Sequence, residues 1–390
     1  MYILQIIFSI RNWLTKELIG KMSILFTSIK INGLTIPNRF FRSATFEALS
    51  NSQGDCTKEI IDLYKQYKSV GLIMSSCTQV DDRAKHHPTM LSLSPNTSIL
   101  SPNNYNNNHL QTFSNLADEI HKMGLCFGVQ LTHSGLASKK YLINNQDPEG
   151  PDTMSTSDID RVIDSFANSA YLAYKYGADA VQIHCAGNYL LGTFLSSVSN
   201  HRTDAFGGNI NNRCEIMKRT IQKVRAKVPP SFPLLIKING QSETAFISPE
   251  EQQAIAKVAE NAGIDAVEVA VSMPKKQSRK CDFSAFSSFG VRTVKTVLTA
   301  KYDYTAVALV KNAVSVPVIS TGGHLEVKKM ENFVSGGLCD MIGLSRPLIK
   351  TPNLVELFEF NETNKSTCVN CNGCLAHTSF REKPLECVNN

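Results

Sequence analysis

The regular alternation of short apolar runs with longer amphipathic stretches is the feature that most constrains this fold. It extends from about residue 38 to residue 350 and is typical of repeated βα units and a parallel sheet. Eight runs rich in β-branched and apolar residues are predicted to be strands: 40–44, 72–76, 127–131, 180–186, 234–238, 266–271, 317–321 and 341–345. Eight units predict an α/β fold of the closed (β/α)₈, or TIM barrel, type. An open doubly wound sheet is disfavoured, because no GxGxxG follows the first strand.

Glycines and a capping box mark the ends of several predicted helices. Gly177, Gly263 and Gly337 each follow an amphipathic stretch and lead into a strand. Glycine suits a helix stop because the backbone there usually adopts a left-handed conformation that a Cβ disfavours. The residues from Ser248 to Glu251 form a capping box with proline at the first helical position. The asparagine-rich stretch 103–108 is predicted to be a polar loop.

The chain divides into an N-terminal extension (1–21), one barrel domain (22–360) and a cysteine-rich tail (361–390). The extension begins with an apolar run that is too short to span a bilayer and lacks a small-residue cleavage site, so we expect no membrane anchor. It is either a loosely attached extension or, with its basic residues among apolar ones, a targeting presequence. The first alternative places the protein in the cytoplasm, and the second places it in a mitochondrion-related organelle.

Charge and cysteine content narrow the class of protein. The net charge of +6 arises from 40 basic and 34 acidic residues scattered along the chain, without the basic stripe that nucleic-acid binding needs. Eleven cysteines without a secretory signal indicate a reducing compartment, where thiols serve packing, catalysis or metal binding more often than disulfides.

The last two predicted strands run into segments suited to binding a phosphate. Strand seven leads into Thr321, Gly322 and Gly323, and strand eight leads into Ser345 and Arg346. Barrels commonly bind phosphate in these two loops, where glycine exposes backbone N–H groups and arginine supplies a fixed charge. A phosphorylated ligand is therefore expected at the carboxyl ends of the strands.

Seven motifs in order give the chain a resemblance to a known family. They are NRFFRSATFE (38–47), GVQLTHSG (128–135), QIHCAGNYLLGTFLS (182–196), NHRTDAFGG with NNR (200–213), LIKING (235–240), STGG (320–323) and LSRPLI (344–349). Together they resemble the Old Yellow Enzyme family of NAD(P)H:flavin oxidoreductases, over nearly all of residues 24–350. The resemblance implies FMN as the cofactor and NAD(P)H as the reductant.

The same resemblance implies the contacts of the flavin. It places Ser43, Ala44 and Thr45 beside the isoalloxazine, Cys77 at its edge and Gln130 at its pyrimidine side. Lys237 matches a cationic position near flavin N1 and C2=O, where a fixed positive charge stabilises the charge that hydride arrival leaves on the ring. The alternative for Lys237 is an inward-facing barrel lysine paired to a carboxylate, which still places a costly charge in the core.

The motif from His184 to Tyr189 is implied to bind and protonate the acceptor. In the family, a first histidine and a histidine or asparagine three residues later bind the carbonyl oxygen of an activated alkene, and a tyrosine two residues further on delivers a proton. Here the fourth position is Gly187, which has no side chain, so the substrate clamp is halved or is remade by Asn188 after a local shift. A second departure is Phe46, where family members often place a threonine or cysteine that tunes the flavin.

The tail carries four cysteines with the spacing C-x₂-C-x₂-C-x₁₂-C, which are Cys368, Cys371, Cys374 and Cys387. This arrangement resembles the tail that binds a [4Fe–4S] cluster beside the flavin in trimethylamine dehydrogenase and dienoyl-CoA reductase. A cluster would link two-electron hydride donors to one-electron carriers, whereas a Cys₄ zinc would only hold the tail to the barrel. Zinc sites usually come as two separated C-x-x-C pairs, so the three-plus-one spacing favours the cluster, and a metal-free tail is the third alternative.

These residues lead to three hypotheses. The first is an NAD(P)H-dependent FMN oxidoreductase that works by a ping-pong mechanism and passes hydride to a small electron-poor acceptor, such as an activated alkene or a quinone. The second is an electron-transfer flavoprotein in which a tail cluster and a protein partner receive the electrons. The third is a phosphate-binding barrel lyase, which leaves Gln130, Lys237 and the cysteines unexplained. The basic run 275–280 meets an NADPH or CoA phosphate or is a solvated loop.

Overall fold

The computed structural model describes residues 23–94, 107–240, 247–271, 302–381 and 383–389. Three features of the sequence lie outside the described residues: the extension 1–21, the basic run 275–280 and the first part, 103–106, of the asparagine-rich stretch. Residues 107 and 108 of that stretch belong to a helix, so the prediction of a loop there is wrong.

Eleven strands are present in the described part of the chain, and eight of them form the predicted barrel. They are β1 (Ile29–Ile31), β2 (Leu34–Ile36), β3 (Phe40–Arg42), β4 (Leu72–Gln79), β5 (Leu91–Ser92), β6 (Cys126–Thr132), β7 (Ala180–Cys185), β8 (Leu234–Asn239), β9 (Ala266–Ala270), β10 (Val318–Thr321) and β11 (Met341–Leu344). All eight predicted strands are confirmed. The main difference is at β4, which continues three residues further than predicted, to Gln79.

The large sheet closes on itself and its strands are parallel. Its order is β3-β11-β10-β9-β8-β7-β6-β4, and β3 also pairs with β4. The short β5 lies outside this ring and pairs with β4 only. Because every barrel strand points the same way, all the carboxyl ends meet at one face of the barrel. This closed parallel ring confirms the (β/α)₈ fold.

The helices surround the barrel and follow its strands. They are α1 (Lys58–Tyr64), α2 (Asn107–Lys122), α3 (Thr156–Lys175), α4 (Leu190–Leu195), α5 (Ile210–Arg213), α6 (Glu215–Lys227), α7 (Pro249–Ala262), α8 (Thr305–Ala313), α9 (Val327–Ser335), α10 (Arg346–Lys350), α11 (Leu354–Glu359) and α12 (Gly373–Arg381). Helix α7 begins with the predicted capping box, in which Ser248 and Glu251 bond to each other's backbone N–H. Gly177, Gly263 and Gly337 have φ angles of 96°, 111° and 73°, which confirms their predicted role at helix ends.

The amino-terminal half of the barrel interior is apolar. Phe41, Leu72, Leu235 and Met341 belong to a buried cluster there, and each is fully shielded from solvent. Residues i and i+2 of a strand share a face, so their neighbours two positions later also point inward but nearer the carboxyl ends. An antiparallel hairpin formed by β1 and β2 adds Ile31 and Ile36 to this cluster and covers the end of the barrel. The sequence motifs did not predict this hairpin.

The carboxyl-terminal half of the interior is polar. Gln130, Gln182, His184 and Glu268 are buried on inward-facing positions of β6, β7 and β9, and Lys237 of β8 is nearly so. Buried polar groups need partners, so this half of the barrel has the composition of a site rather than of a core. None of the helices in the described part of the chain is long and apolar enough to cross a membrane.

Candidate active site

A continuous hydrogen-bonded chain crosses the polar half of the barrel. The Cys77 thiol donates to Gln130 Oε1 at 3.4 Å, Gln130 Nε2 donates to Gln182 Oε1 at 2.7 Å, and Gln182 Nε2 donates to Glu268 Oε2 at 2.8 Å. Glu268 Oε1 in turn accepts from the Ser43 hydroxyl at 2.6 Å. The strand register places these residues side by side, since Gln130 pairs with both Cys77 and Gln182. Three predicted flavin contacts are therefore linked in one network.

Lys237 lies at the end of this chain and is paired with a carboxylate. Its ammonium is 3.1 Å from Glu268 Oε1 and donates to the Ser43 hydroxyl at 2.8 Å. Only 11% of the lysine side chain and none of the glutamate side chain is exposed to solvent. The ion pair matches the structural alternative for Lys237, and the flavin contact of this residue stays a prediction. A buried pair of this kind is costly to desolvate and is weak grounds for a purely stabilising role.

The sequence analysis assigned no role to two residues of this hydrogen-bonded chain. Gln182 and Glu268 are polar residues at inward positions of apolar strands, and a charged or amide side chain inside such a strand is itself unusual. That departure from the apolar pattern is the signal that could have found them.

His184 is a neutral hydrogen-bond donor at the end of β7. Burial, together with the charges of Lys237 and His86, holds the pKa of His184 well below its usual range. Its Nδ1 accepts a bond from the backbone N–H of Ala186 at 3.2 Å, so the single ring proton of the neutral form resides on Nε2. Within the described residues Nε2 has no hydrogen-bond partner. The N–H of this nitrogen is thus free to bind a ligand oxygen.

Tyr189 packs against His184 and keeps its proton. The two ring centroids are 4.7 Å apart. Burial raises the pKa of Tyr189 well above its usual range, and the neighbouring Cys77, which is hydrogen-bonded to it, raises it further. Burial likewise raises the pKa of the Cys77 thiol. The predicted pair of catalytic residues is therefore brought together, in protonation states that suit binding and proton donation.

A histidine that the sequence motifs missed completes one wall of this region. His86, in the loop after β4, lies with its ring 5.6 Å from that of Tyr189, and Phe46 lies 5.4 Å from His86. His86 Nδ1 is hydrogen-bonded to the Ser134 hydroxyl at 2.9 Å, and burial lowers the pKa of His86 to about 3. Loop residues lack the periodicity of strands and helices, so nothing in the sequence indicated the place of His86 in space. The aromatic character of Phe46 now has a packing reason.

The structure leaves the second position of the clamp open. Gly187 has a φ of 66°, and its neighbour Asn188 is half-buried in the turn before α4. The Asn188 side chain makes no hydrogen bond to any described residue. We therefore find no local shift that brings Asn188 to His184, and its predicted role stays a prediction.

The loops after β10 and β11 lie next to each other, as a phosphate site requires. Gly322 and Gly323 have φ angles of 119° and 78°, and an added Cβ at Gly322 would lie 2.5 Å from the Val271 carbonyl oxygen. Thr321 is buried, and its hydroxyl has no hydrogen-bond partner in the described residues. Ser345 bonds to the Thr45 hydroxyl at 2.8 Å. Ala44, which precedes Thr45 in the chain, packs against the apolar cluster of the barrel.

Arg346 connects the end of strand β11 to the cysteine-rich tail. Its guanidinium donates to the Tyr302 hydroxyl at 2.8 Å and to Asn372 Oδ1 at 2.7 Å. It also donates to the backbone carbonyl of Asn370 at 3.3 Å. The predicted phosphate-binding arginine is thus shared between the barrel and the loop that carries the cysteines.

The four tail cysteines line one cavity of about 190 Å³, together with Arg346. Burial raises the pKa of Cys368, and it raises the pKa of Cys374 to about 11, while the charge of Arg346 opposes both shifts. Among the residues that the structure describes, no three His, Cys, Asp or Glu side chains are grouped so that they could hold a metal ion. The cysteines therefore surround a common space without converging on one point.

Comparison with known proteins identifies the family to which the sequence is similar. The profile of the NADH:flavin oxidoreductase / NADH oxidase family matches residues 24–363. Among curated proteins, an NADH oxidase of Thermoanaerobacter brockii is 25% identical over 387 residues, which cover 94% of this chain and 56% of the relative. An NADH-dependent flavin oxidoreductase of Talaromyces variabilis is 34% identical over 232 residues, which cover 55% of this chain and 52% of the relative. The chain spans little more than half the length of these two relatives.

A solved structure agrees with the fold. The Old Yellow Enzyme homologue from Zymomonas mobilis superposes with a TM-score of 0.73, at 18% sequence identity, over 88% of this chain and 94% of that one. At this level of identity the likeness concerns the fold, and the family assignment comes from the sequence match.

Proposed function

The chain belongs to the NADH:flavin oxidoreductase / NADH oxidase family, and from this premise we propose that it is an FMN-dependent NAD(P)H oxidoreductase. Its reaction is a ping-pong exchange in which NAD(P)H is oxidised first and a small electron-poor acceptor is reduced second. The acceptor class that we propose is an activated alkene, a quinone or a similar carbonyl compound.

The residues at the carboxyl face fit FMN. Lys237 offers a cation at the inner wall, and Thr321 offers a buried hydroxyl without a partner among the described residues. The backbone N–H groups of Gly322 and Gly323 donate to no backbone carbonyl of the described residues, and the φ angles of both residues disfavour a side chain. The residues that would hold the cofactor are Ser43, Ala44, Thr45, Cys77, Gln130, Lys237, Thr321, Gly322, Gly323, Ser345 and Arg346. FMN, when bound, supplies a two-electron carrier between the nicotinamide and the acceptor.

The chain's own residues divide the remaining work. Lys237 holds a positive charge beside Ser43 and Glu268, where it favours an anionic ligand edge. His184 donates from Nε2–H to the acceptor oxygen and so orients the acceptor and polarises it. Tyr189, which stays protonated, delivers a proton from its hydroxyl to the α-carbon of an activated alkene or to an oxygen of a quinone. The single observation that carries the proposal is the pairing of a neutral His184 donor with a protonated Tyr189 at the carboxyl face, where their ring centroids are 4.7 Å apart.

A visible spectrum of the purified protein tests this function. The protein should be yellow, and anaerobic addition of NADH or NADPH should bleach it. Subsequent addition of 2-cyclohexen-1-one or a benzoquinone should restore the colour. A colourless protein that does not take up added FMN would overturn the proposal.

The cavity lined by the four cysteines supports a second candidate function, an electron-transfer flavoprotein. The four thiols line one cavity, and their three-plus-one spacing suits a polynuclear cluster better than a zinc ion, whose sites usually come as two separated C-x-x-C pairs. A [4Fe–4S] cluster at Cys368, Cys371, Cys374 and Cys387 would supply one-electron transfer to a protein partner. Zinc and a metal-free tail are the other outcomes.

Metal analysis of anaerobically purified protein distinguishes these outcomes. The cluster requires about four iron and four sulfide per chain by its formula, and Cys371→Ser should lose most of both. Cys126→Ser is the matched control, because Cys126 lies in the apolar end of the barrel, and it should keep its iron. Zinc without iron, or no metal at all, would rule out the electron-transfer role.

We also propose the division of the chain into an extension (1–21), a flavin-binding barrel (22–360) and a tail (361–390). The tail is attached to the barrel at two points at least, since Leu385 N–H donates to the Glu47 carbonyl at 2.9 Å and Arg346 binds Asn372. The cytoplasm is the compartment that we propose. A fusion of residues 1–21 to a fluorescent protein tests it, and import into an organelle would favour a presequence.

A further inference from the structure

The open position at Gly187 has a neighbour that nothing in the motifs assigns to the site. Asn239 ends strand β8, and the backbone N–H of Gly187 donates to Asn239 Oδ1 at 3.0 Å. Strand β8 runs beside β7, with Cys185 opposite Ile238, one residue before Asn239. Asn239 therefore lies against the backbone of position 187, on the side of its N–H group.

This contact distinguishes the oxygen from the nitrogen of the Asn239 side-chain amide. A backbone N–H can only donate, so the atom that faces Gly187 must be the carbonyl oxygen of the side chain. The NH₂ group, Nδ2, is then the other end. It is buried and has no hydrogen-bond partner among the described residues. An unsatisfied buried donor costs about 1–3 kcal/mol, so its presence at this position calls for a ligand acceptor.

The free donor of Asn239 matches the free donor of His184. Lys237, two residues before Asn239, pairs with His184 in the register of β7 and β8. His184 and Asn239 therefore occupy neighbouring strands, at successive inward positions of the carboxyl face. Both groups are uncharged, since His184 is neutral and Asn239 is an amide. Two uncharged donors suit the oxygen of a neutral carbonyl better than a carboxylate or a phosphate.

We propose that Asn239 is the second donor of the substrate clamp and that, with His184, it binds the carbonyl oxygen of a neutral acceptor that is an α,β-unsaturated ketone or aldehyde, or a quinone. This inference rests on the proposed function and names its substrate class. Asn239 takes over, from a neighbouring strand, a role for which position 187 has no side chain.

The test is a binding titration of the oxidised, FMN-loaded protein with 2-cyclohexen-1-one. Calorimetry and the flavin absorbance both detect the binding. Asn239→Asp is the informative variant, because a carboxylate still accepts from the Gly187 N–H but cannot donate. Loss of one hydrogen bond should weaken binding about tenfold. Asn239→Leu, which loses both contacts, should weaken binding by at least as much.

A second substitution in the Asn239→Asp background should restore the clamp. Gly187 has a φ of 66°, which asparagine tolerates better than most residues. Within the described part of the chain, an added Cβ would meet only Tyr189 Cδ2, at an ordinary 3.7 Å. Gly187→Asn should therefore recover most of the lost affinity. The affinity for FMN, measured separately, should stay within a factor of about two in every variant, since the clamp lies on the acceptor side.

The outcomes separate the two proposals. If the wild-type protein binds FMN and 2-cyclohexen-1-one but Asn239→Asp binds the enone equally well, the role of Asn239 is overturned and the proposed function stands. If Asn239→Asp loses FMN and not the enone, Asn239 belongs to the flavin contacts and the inference is likewise overturned. A wild-type protein that takes up no FMN would overturn both.

Discussion

At the scale of single residues, the protonation states in the barrel follow from burial. His184 is buried and Tyr189 is half-buried, and the loss of hydration disfavours the charged form of each. For histidine the neutral form is the unprotonated one, and for tyrosine it is the protonated one. The same physical cause thus produces a neutral N–H donor and a phenol that keeps its proton, side by side.

Replacement of Tyr189 by phenylalanine should separate the two half-reactions. The ring would keep its packing against His184 and His86, but the hydroxyl would be lost. Acceptor reduction should slow by roughly 100-fold to 10,000-fold, the usual contribution of a general acid. Flavin reduction by NAD(P)H should not change. Stopped-flow absorbance measures both steps, and an unchanged oxidative half-reaction would exclude Tyr189 as the proton donor.

Lys237 and Glu268 should be coupled in stability. In Lys237→Met the carboxylate of Glu268 would stay buried without its cation, and breaking such a pair costs about 3–5 kcal/mol. The double variant Lys237→Met/Glu268→Gln removes both charges and should recover most of that loss. Urea unfolding of the two variants and the wild type measures the difference. Equal stability of the single and double variants would mean that the pair is not formed in solution.

At the scale of elements, the loop after β10 depends on glycine for two separate reasons. Gly322 has a positive φ, and its Cα also faces the backbone of Val271 so closely that a Cβ has no room. Gly337 has a positive φ as well, but no atom of the described residues lies within 4 Å of an added Cβ. The two glycines therefore share a positive φ and differ in how closely other atoms approach an added Cβ.

Alanine should be tolerated at one of these glycines and not at the other. Gly337→Ala should cost about 1–2 kcal/mol for its left-handed backbone. Gly322→Ala should cost about 1–3 kcal/mol more, the usual penalty of overpacking, and should reduce FMN retention because the phosphate loop must move. Guanidinium unfolding and the absorbance of the bound flavin provide the measurements. Equal losses for both variants would show that the Val271 backbone does not crowd Gly322.

At the scale of the whole molecule, buried histidines link stability to pH. His324 is buried after β10, and burial lowers its pKa to about 4, against about 6.5 in an unfolded chain. Between these values the unfolded chain binds a proton that the folded chain does not. Stability therefore rises with pH in this window and is lost as the pH falls from about 6.5 towards 4. His86 contributes in the same direction, with a pKa of about 3.

Urea unfolding at pH 7.5, 6 and 5 should show this loss. Each buried histidine adds at most about 1.4 kcal/mol per pH unit to the slope. In His324→Phe the ring packing against Tyr304 and Phe333 is kept and the titrating group is removed, so the slope should decrease. An unchanged slope would exclude His324 from the acid sensitivity.

Patterns along the chain were enough to predict the barrel and most of its carboxyl face. The hydrophobic period of each strand depends on local geometry alone, and a closed parallel ring brings every strand end to one face. This is why motifs as distant as those of Ser43, Gln130 and Lys237 could be assigned to one site. Spacing also predicted that the tail cysteines lie close together in the fold, because three of them lie within seven residues.

Which side chains meet within that face could be learned only from the folded barrel. The pairing of Lys237 with Glu268 and the contact of Asn239 with Gly187 depend on the register of neighbouring strands, which no period along one strand reveals. The place of His86 depends on a loop, and loops follow no period at all. Burial, which favours the uncharged forms of His184 and Tyr189, is likewise a property of the folded molecule, because it arises from residues that are distant along the chain.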